Sequence, residues 1–414
     1  MFELDSEKQG PRIRVVGIGG CGGNAINSIA RRGIQGVDLI AVNTDLQDLE
    51  RNAAAMKIQI GKNTTRGLGA GSNPDIGRRA ALEAREELYR ALKDSDMVFL
   101  TCGMGGGTGT GAAPVVASIL KGTDRDDVAK KESDTDSSPL VVAVVTKPFN
   151  TEGKDRLRHA EAGIEELKKH VDALIVIPND KLLLISDKNT NYMTAFQKIY
   201  DVLYDAIRGI SEIITKPGFV NVDFADVKAV LSGRGDAIIG TGIASGEKRA
   251  VEAASAAISN PLLEEVSLER VEGILVSITA GASFGLHEFD EIVKTVRSVA
   301  KNGDDESKII VGVSIDEKME KEVGVTVIAA GLNNHRPTTP PPSPTQDPRK
   351  KILTKNEDET SWKPRDWNVF QEPTIWRKGV QIHVNRLEDA SVENDDKVGE
   401  KPPEKPAFLR KVMD

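Results

Sequence analysis

The sequence predicts an α/β protein: a Rossmann-like nucleotide-binding domain on a parallel sheet, then a second α/β domain, then a tail with no core of its own. Three stretches predict this. The first is Gly105-Gly106-Gly107-Thr108-Gly109-Thr110-Gly111. It follows an apolar strand-like run, Met97-Val98-Phe99-Leu100, and precedes Ala112-Ala113-Pro114-Val115-Val116, which reads as a helix start with Pro in its first turn. The second is Gly17-Ile18-Gly19-Gly20-Cys21-Gly22-Gly23-Asn24, between a strand at Ile13–Val16 and a helix from about Ala25 to Arg32. The third is Tyr192–Thr215, where Ile199, Leu203, Ile207, Ile210 and Ile214 fall at the three- and four-residue spacing of a helix with one buried face.

Strand, glycine loop and helix together make an anion site. Glycines let backbone N–H groups approach a phosphate, and the helix N-terminus adds unpaired donors and a partial positive charge. The hydroxyls of Thr108 and Thr110 are further donors. No Lys lies in the loop, which separates it from the G-x-x-x-x-G-K-[ST] phosphate loop. Gly17, Gly19 and Gly22, with Asp38 further on, match the dinucleotide fingerprint. Alone that match is weak, and a dinucleotide oxidoreductase would leave Gly105–Gly111 without a purpose.

Composition narrows the class. Aromatic content is 4% within 39% hydrophobic residues, so the cores rest on Ile, Val, Leu and Ala. A net charge of −8 argues against a general nucleic-acid binder. The two cysteines, Cys21 and Cys102, both flank glycine loops and fit a reducing compartment with no disulfide framework. Met1–Gly10 is polar and acidic, unlike a signal peptide, and no apolar run is long enough to span a bilayer. A soluble, cytoplasmic protein is expected.

Along the chain, Leu39–Val42 reads as a strand ending at Asn43-Thr44-Asp45, which is either an Asx turn or a ligand contact. Arg66–Gly71 is a third glycine loop, before a helix from about Pro74 to Leu92. Residues 122–138 are polar and charged and read as a disordered surface insertion. Leu140–Val145 is a strand, after which Glu152 and Arg156 stand one helical turn apart. Leu174–Ile177 is another, followed by Pro178-Asn179-Asp180. Asn221-Val222-Asp223-Phe224-Ala225-Asp226 sets two carboxylates three apart at a helix start, where N-capping is the bland reading. Strands are expected at Ile274–Ile278, Ile309–Val313 and Val323–Ala330, with helices at about Gly246–Ser259 and Phe289–Ala300. Beyond Leu332 the chain is Pro-rich, then charged, holds all three tryptophans, and ends Pro-Ala-Phe-Leu-Arg-Lys-Val-Met-Asp.

Gly-Gly-Gly-Thr-Gly-Thr-Gly at 105–111 resembles the tubulin superfamily in the form carried by the FtsZ family of bacterial cell-division GTPases. The resemblance runs from about Ile13 to Leu332 and returns at the last residues. It implies a tubulin-like fold: residues 1–10 a disordered tail, 11–190 a GTP-binding domain, 191–216 a central helix, and 217–332 a C-terminal α/β domain that starts with a catalytic loop. Residues 333–402 are then a disordered linker and 403–414 a peptide that binds membrane anchors of the FtsA or ZipA kind. It implies GTP as substrate and GDP as product, with Mg²⁺ bridging the phosphates. The nucleotide contacts it implies are Gly20, Cys21, Gly22, Gly23 and Asn24; Asn43; Gly105, Gly106, Gly107, Thr108, Gly109 and Thr110; and Glu152 and Arg156. Asn179 and Phe196 would meet the guanine.

Two positions depart from the family pattern. Cys21 stands where Gly is common, and is read as an inert thiol. Where Asp or Asn usually accepts from guanine there is Tyr200, with Asp201 next to it; Tyr200 stacking and Asp201 accepting is one arrangement left open. Asn221, Asp223 and Asp226 would reach into the neighbouring subunit's nucleotide site, the aspartates orienting the attacking water. The expectation is thus a polymerising GTPase of the division ring at mid-cell, touching the membrane only through its anchors. A non-polymerising GTP-binding regulator of the same fold is the alternative.

Overall fold

The structure is a computed structural model, and it describes residues 10–123, 138–184, 191–215, 222–261, 271–299 and 308–332. The expected insertion lies almost wholly outside these residues, as do Asn221, the tryptophans and the entire tail.

The first half alternates strand and helix: β1 (Ile13–Ile18), α1 (Gly19–Arg32), β2 (Val37–Asn43), α2 (Leu46–Glu50), β3 (Met56–Gln59), α3 (Pro74–Glu83), α4 (Arg85–Leu92), β4 (Met97–Gly103), α5 (Thr108–Lys121), β5 (Leu140–Lys147), α6 (Lys154–Lys168), β6 (Ala173–Pro178) and α7 (Asn179–Leu184). The long helix α8 (Tyr192–Thr215) follows. The second half holds α9 (Phe224–Leu231), β7 (Gly235–Ser245), α10 (Arg249–Ile258), β8 (Gly273–Ala280), α11 (Leu286–Val299), β9 (Lys308–Ile315) and β10 (Glu322–Ala330).

All ten strands join one sheet in the order β3-β2-β1-β4-β5-β6-β7-β10-β8-β9. The first six are parallel and follow the doubly wound order 3-2-1-4-5-6. That order reverses between β1 and β4, and ligands of such sheets bind at the carboxyl ends of the strands flanking the reversal. β7 pairs parallel to β6 over three residue pairs, then antiparallel to β10, which carries β8 and β9.

Continuous apolar strands fit a sheet covered on both faces. β4 alternates between the two layers: Met97 and Phe99 pack with α1 and α8, while Val98, Leu100 and Cys102 pack with α5. Ile199, Leu203, Ile207 and Ile210 of α8 are buried as their spacing predicts, with Ile214 partly buried. Their cluster also takes in Leu275, Ile310 and Ile328 from the second half, so one helix packs against strands of both. A third core lies under α10 and α11.

Several boundaries differ from expectation. α1 begins at Gly19 and α5 at Thr108, each several residues early, so the glycine runs form first helical turns and Pro114 lies inside α5. The expected helix Pro74–Leu92 is two, broken at Ala84, whose φ and ψ of −95° and 14° leave the helical region. β7 has no counterpart in the sequence reading.

Candidate functional site

β1 and β4 are neighbours with Ile18 opposite Cys102, so their glycine loops leave the sheet side by side. Both helices that follow start without a side-chain cap. Four N–H groups at each helix start lack intrahelical partners, so two adjacent N-termini offer donors and partial positive charge to one crevice. A Cβ on Gly19, whose φ is +72°, would lie 3.1 Å from the Gly109 nitrogen, a measure of how closely the two starts meet.

Glycine is required by packing at some positions and not at others. A Cβ on Gly22 would sit 2.5 Å from the Thr101 carbonyl oxygen, and one on Gly107 2.8 Å from the Asn73 nitrogen. A Cβ on Gly109 would lie 2.7 Å from the Gly103 oxygen. By contrast, one on Gly106 meets nothing within 4 Å, and one on Gly20 only Asp48 at 3.7 Å. Gly20 and Gly106 therefore border open space. Gly105, at φ +96°, donates its N–H to the Thr110 hydroxyl at 2.8 Å, which fixes the loop from within.

The third wall comes from the end of β2. Asn43 is both an Asx turn and a strut: its Oδ1 accepts from the Thr44 nitrogen at 2.8 Å and its Nδ2 donates to Asp48 at 2.7 Å. Burial, then the neighbouring Asp45, raises the Asp48 carboxyl above its ordinary pKa. Thr44, fully buried, shares a 2.7 Å hydrogen bond with the Thr108 hydroxyl. Sequence reasoning named Thr44 only within the stretch Asn43-Thr44-Asp45 and singled out Asn43; the bond to Thr108 brings Thr44 to the start of α5. The loop 66–71 hangs on this wall, with Gly69 N–H donating to the Thr44 oxygen and Leu46 N–H to the Gly67 oxygen.

Beyond β5, Glu152 accepts from the Phe149 nitrogen at 2.9 Å and pairs with Arg156, as the spacing predicts. Phe149 meets Phe196 of α8 edge to face at 6.0 Å. Asn179 starts α7 and is 5% exposed, and its Oδ1 has no hydrogen-bond partner. An orphaned buried amide oxygen at the end of β6 asks for a polar ligand atom. Asn24 donates to the Tyr200 hydroxyl at 3.1 Å. Asp201 instead pairs with Arg32 in the last turn of α1 and accepts from Gln197 at 3.1 Å.

Cys21 packs over Gly103, with its sulfur 3.8 Å from the Thr146 hydroxyl. Burial pushes its thiol up to about 11 and pushes the wholly buried Cys102 higher still. Neither is a ready thiolate, in line with the inert reading.

Asp223 and Asp226 lie elsewhere. α8 runs down the sheet from Phe196 to Thr215, which packs on Gly36 just before β2. From Tyr200 to Thr215 that descent is about 22 Å at 1.5 Å per residue. Asp226 sits 3.6 Å from Lys308, the first residue of β9, and α9 leads through Ser232 to Asp172, just before β6. These neighbours are strand starts, whereas the glycine loops follow strand ends. Asp223 occupies the N-cap position of α9, yet its exposed side chain caps nothing. The bland capping reading fails there: only the Asp223 backbone oxygen accepts, from Asp226 and Val227.

A crevice of paired helix N-termini at the reversal point of a doubly wound sheet, with aromatic and amide groups along one side, defines a nucleotide-binding protein. Comparison with known proteins gives the family. The model of the Tubulin/FtsZ family GTPase domain matches residues 12–187, and that of the FtsZ family C-terminal domain matches residues 235–333. Cell division protein FtsZ of Wigglesworthia glossinidia brevipalpis is 49% identical over 332 residues, 80% of this chain and 82% of that protein. A solved structure described as an empty FtsZ dimer from M. jannaschii is 46% identical, covers 79% of this chain and 90% of its own, and superposes with a TM-score of 0.71. CetZ2 of Haloferax volcanii, at 19% identity and a TM-score of 0.61, shares the fold. The chain belongs to the FtsZ family, the tubulin-like GTPases of cell division, and it hydrolyses GTP to GDP and phosphate.

Proposed function

We propose that this GTPase polymerises head to tail, and that each working site is shared between two copies. One copy supplies the crevice; the next supplies Asn221, Asp223 and Asp226. The observation that carries the reading is the placement of the two parts at opposite ends of the strands, with exposed carboxylates that cap nothing and cannot reach their own chain's crevice. A repeated contact that joins unlike faces generates an open filament, and the relative from M. jannaschii is described as a dimer.

In the shared site the phosphates rest on the N-termini of α1 and α5, with Gly20–Asn24 and Gly105–Thr110 approaching by backbone. Thr44, Thr108 and Asn43 hold the wall opposite, and Glu152 and Arg156 meet the ribose and phosphates. Guanine lies against Phe196, with Asn179 at its edge. With Asp201 paired to Arg32, the base reader we assign beside Phe196 on α8 is Tyr200, whose hydroxyl accepts from Asn24. Asp223 and Asp226 of the neighbour orient the attacking water, and positioning of this kind is most of what phosphoryl transfer asks of a protein. Mg²⁺ would be carried by the phosphates and water, since it needs few protein ligands. It would neutralise charge developing on the β- and γ-phosphates.

Filaments of this protein form the division ring at mid-cell in the cytoplasm, with residues 403–414 binding anchors of the FtsA or ZipA kind. No helix among the described residues is long and apolar enough to cross a membrane. The weaker reading, a non-polymerising regulator, leaves the exposed carboxylates of α9 unused. Sedimentation with GTP and with GDP, alongside phosphate release, tests the proposal. Pelleting with GTP, and turnover that rises more steeply than protein concentration, is expected; turnover strictly proportional to concentration with no pellet would overturn it.

A further inference from the structure

Asp48 places a carboxylate at the edge of the nucleotide crevice. It lies in the first turn of α2 and is partly buried. Its Oδ2 accepts from Asn43 Nδ2 at 2.7 Å and reaches across to the start of α1, 3.7 Å from a Cβ on Gly20 and 3.8 Å from one on Gly23. Among the described residues no Lys, Arg or His forms an ion pair with it. The charged groups that face it are Asp45, which repels it, and Arg51, which attracts it from beyond ion-pair distance. The residues of α1 and β2 that meet it, Gly20, Gly23 and Asn43, carry no charge.

α1 supplies no anion of its own: its first turn holds no acidic residue, and Ile18 at its N-cap makes no side-chain bond. The partial positive charge of a helix N-terminus favours a carboxylate beside it. Asp48 is thus the anion that the fold itself gives to α1, and phosphates arriving at the same helix start compete with it. We infer that Asp48 is a determinant of nucleotide affinity, its carboxylate opposing the phosphates at the start of α1 and so limiting how tightly GTP and GDP are held. The inference rests on the reading that places the phosphates at the starts of α1 and α5. Burial, then Asp45, already disfavours the ionised Asp48. A bound polyphosphate disfavours it further, so nucleotide binding takes up a proton wherever Asp48 is only partly ionised. The affinity lost to Asp48 is therefore largest where it is ionised both with and without nucleotide, and fades as pH falls through its range. Weaker affinity is mostly faster release, which for GDP means faster exchange for GTP.

The test measures binding of labelled GDP, which is not hydrolysed, by equilibrium dialysis against the full chain and its Asp48→Asn variant at about pH 7.5 and about pH 5. Asn keeps an oxygen for Asn43 and removes the charge. The variant should bind GDP roughly tenfold tighter at the higher pH, the scale of one unit charge several ångströms from the phosphates. That advantage should shrink at the lower pH. GDP titrates alike against both proteins, so their ratio isolates Asp48. Asp48→Ser, also uncharged, serves if the Asn variant fails to fold. Equal or weaker binding by the uncharged variants at the higher pH would overturn the inference, as would an advantage that is the same at both. Gly106→Val, dialysed in parallel, separates this from the reading beneath it. If Gly106→Val loses affinity while Asp48→Asn gains none, only the role of Asp48 fails; if Gly106→Val binds as the wild type does, the placement of the phosphates fails with it.

Discussion

The two ends of the sheet solve opposite problems. At the carboxyl ends of β1 and β4, charge is kept out: glycines, threonines and uncapped helix starts crowd together, and the few carboxylates nearby are tied to Asn43 or Arg156. At the strand starts near α9, the Asp223 and Asp226 carboxylates are exposed, with Lys308 3.6 Å from Asp226. The first arrangement attracts a polyanion and has nothing to activate water; the second has carboxylates and no anion site. In the proposed reading each is half of a phosphoryl-transfer site, and α8 separates the halves within a chain.

If packing sets the glycines of the crowded end, the largest effect should follow a substitution where no space exists. A Cβ on Gly111 would lie 1.9 Å from the Pro74 oxygen, so Gly111→Ala should cost about 3 kcal/mol or more. A shift in the urea midpoint measures this; an unchanged midpoint would show that α3 and α5 adjust freely. Gly106→Val sharpens the contrast, since nothing lies within 4 Å of its Cβ position. Stability should stay within about 0.5 kcal/mol while GTP affinity falls about 100-fold, or about 2.7 kcal/mol. Equilibrium dialysis with labelled GTP checks it, and unaltered affinity would remove Gly106 from the crevice.

A smaller effect tests the helix that separates the ends. Burial raises the Asp205 carboxyl to about 6, against the opposing pull of Arg32 and Arg208. A raised carboxyl pKa means the folded state holds its proton more tightly, so this group's contribution is present below about pH 4 and is lost as pH rises through 6. Asp205→Asn should therefore stabilise the protein by about 1–2 kcal/mol at pH 7.5, discounted for its partial exposure, and by almost nothing at pH 4. Thermal unfolding at the two pH values decides; equal effects at both would show that ionisation is not the cause. The smallest change is expected at the open end: Asp226→Ala should alter stability by less than about 0.5 kcal/mol, because its pair with Lys308 is half exposed.

The crowded end was the more legible in sequence. Two glycine runs after apolar strands located the crevice, and the isoleucine spacing located α8 with its buried face. What sequence obscured were the helix starts, because glycine is a poor helix former and Gly19 and Thr108–Gly111 look like loop until packing recruits them. β7 was missed for a related reason: Gly235, Gly240 and Gly242 dilute its strand pattern, yet a Cβ on Gly242 would lie 2.2 Å from the Ala253 oxygen, so α10 needs that glycine. The pairing of Asp201 with Arg32 and of Tyr200 with Asn24 spans 169 and 176 residues, and no local pattern announces contacts at that range. At the open end, sequence could not distinguish a capping aspartate from a free one; the N-cap position of Asp223 without a cap bond draws that distinction.

The central claim is that the two ends act on each other only across copies of the chain, and complementation tests it directly. Gly106→Val removes the crevice of one protein and leaves its carboxylates; Asp226→Ala removes a carboxylate of the other and leaves its crevice. Each alone should release little phosphate. Mixed in equal amounts, with co-assembly verified by pelleting, the pair should regain turnover wherever an intact crevice meets an intact α9. A co-pelleting mixture that stays as inactive as its parts would place Asp226 at its own chain's nucleotide and contradict the account.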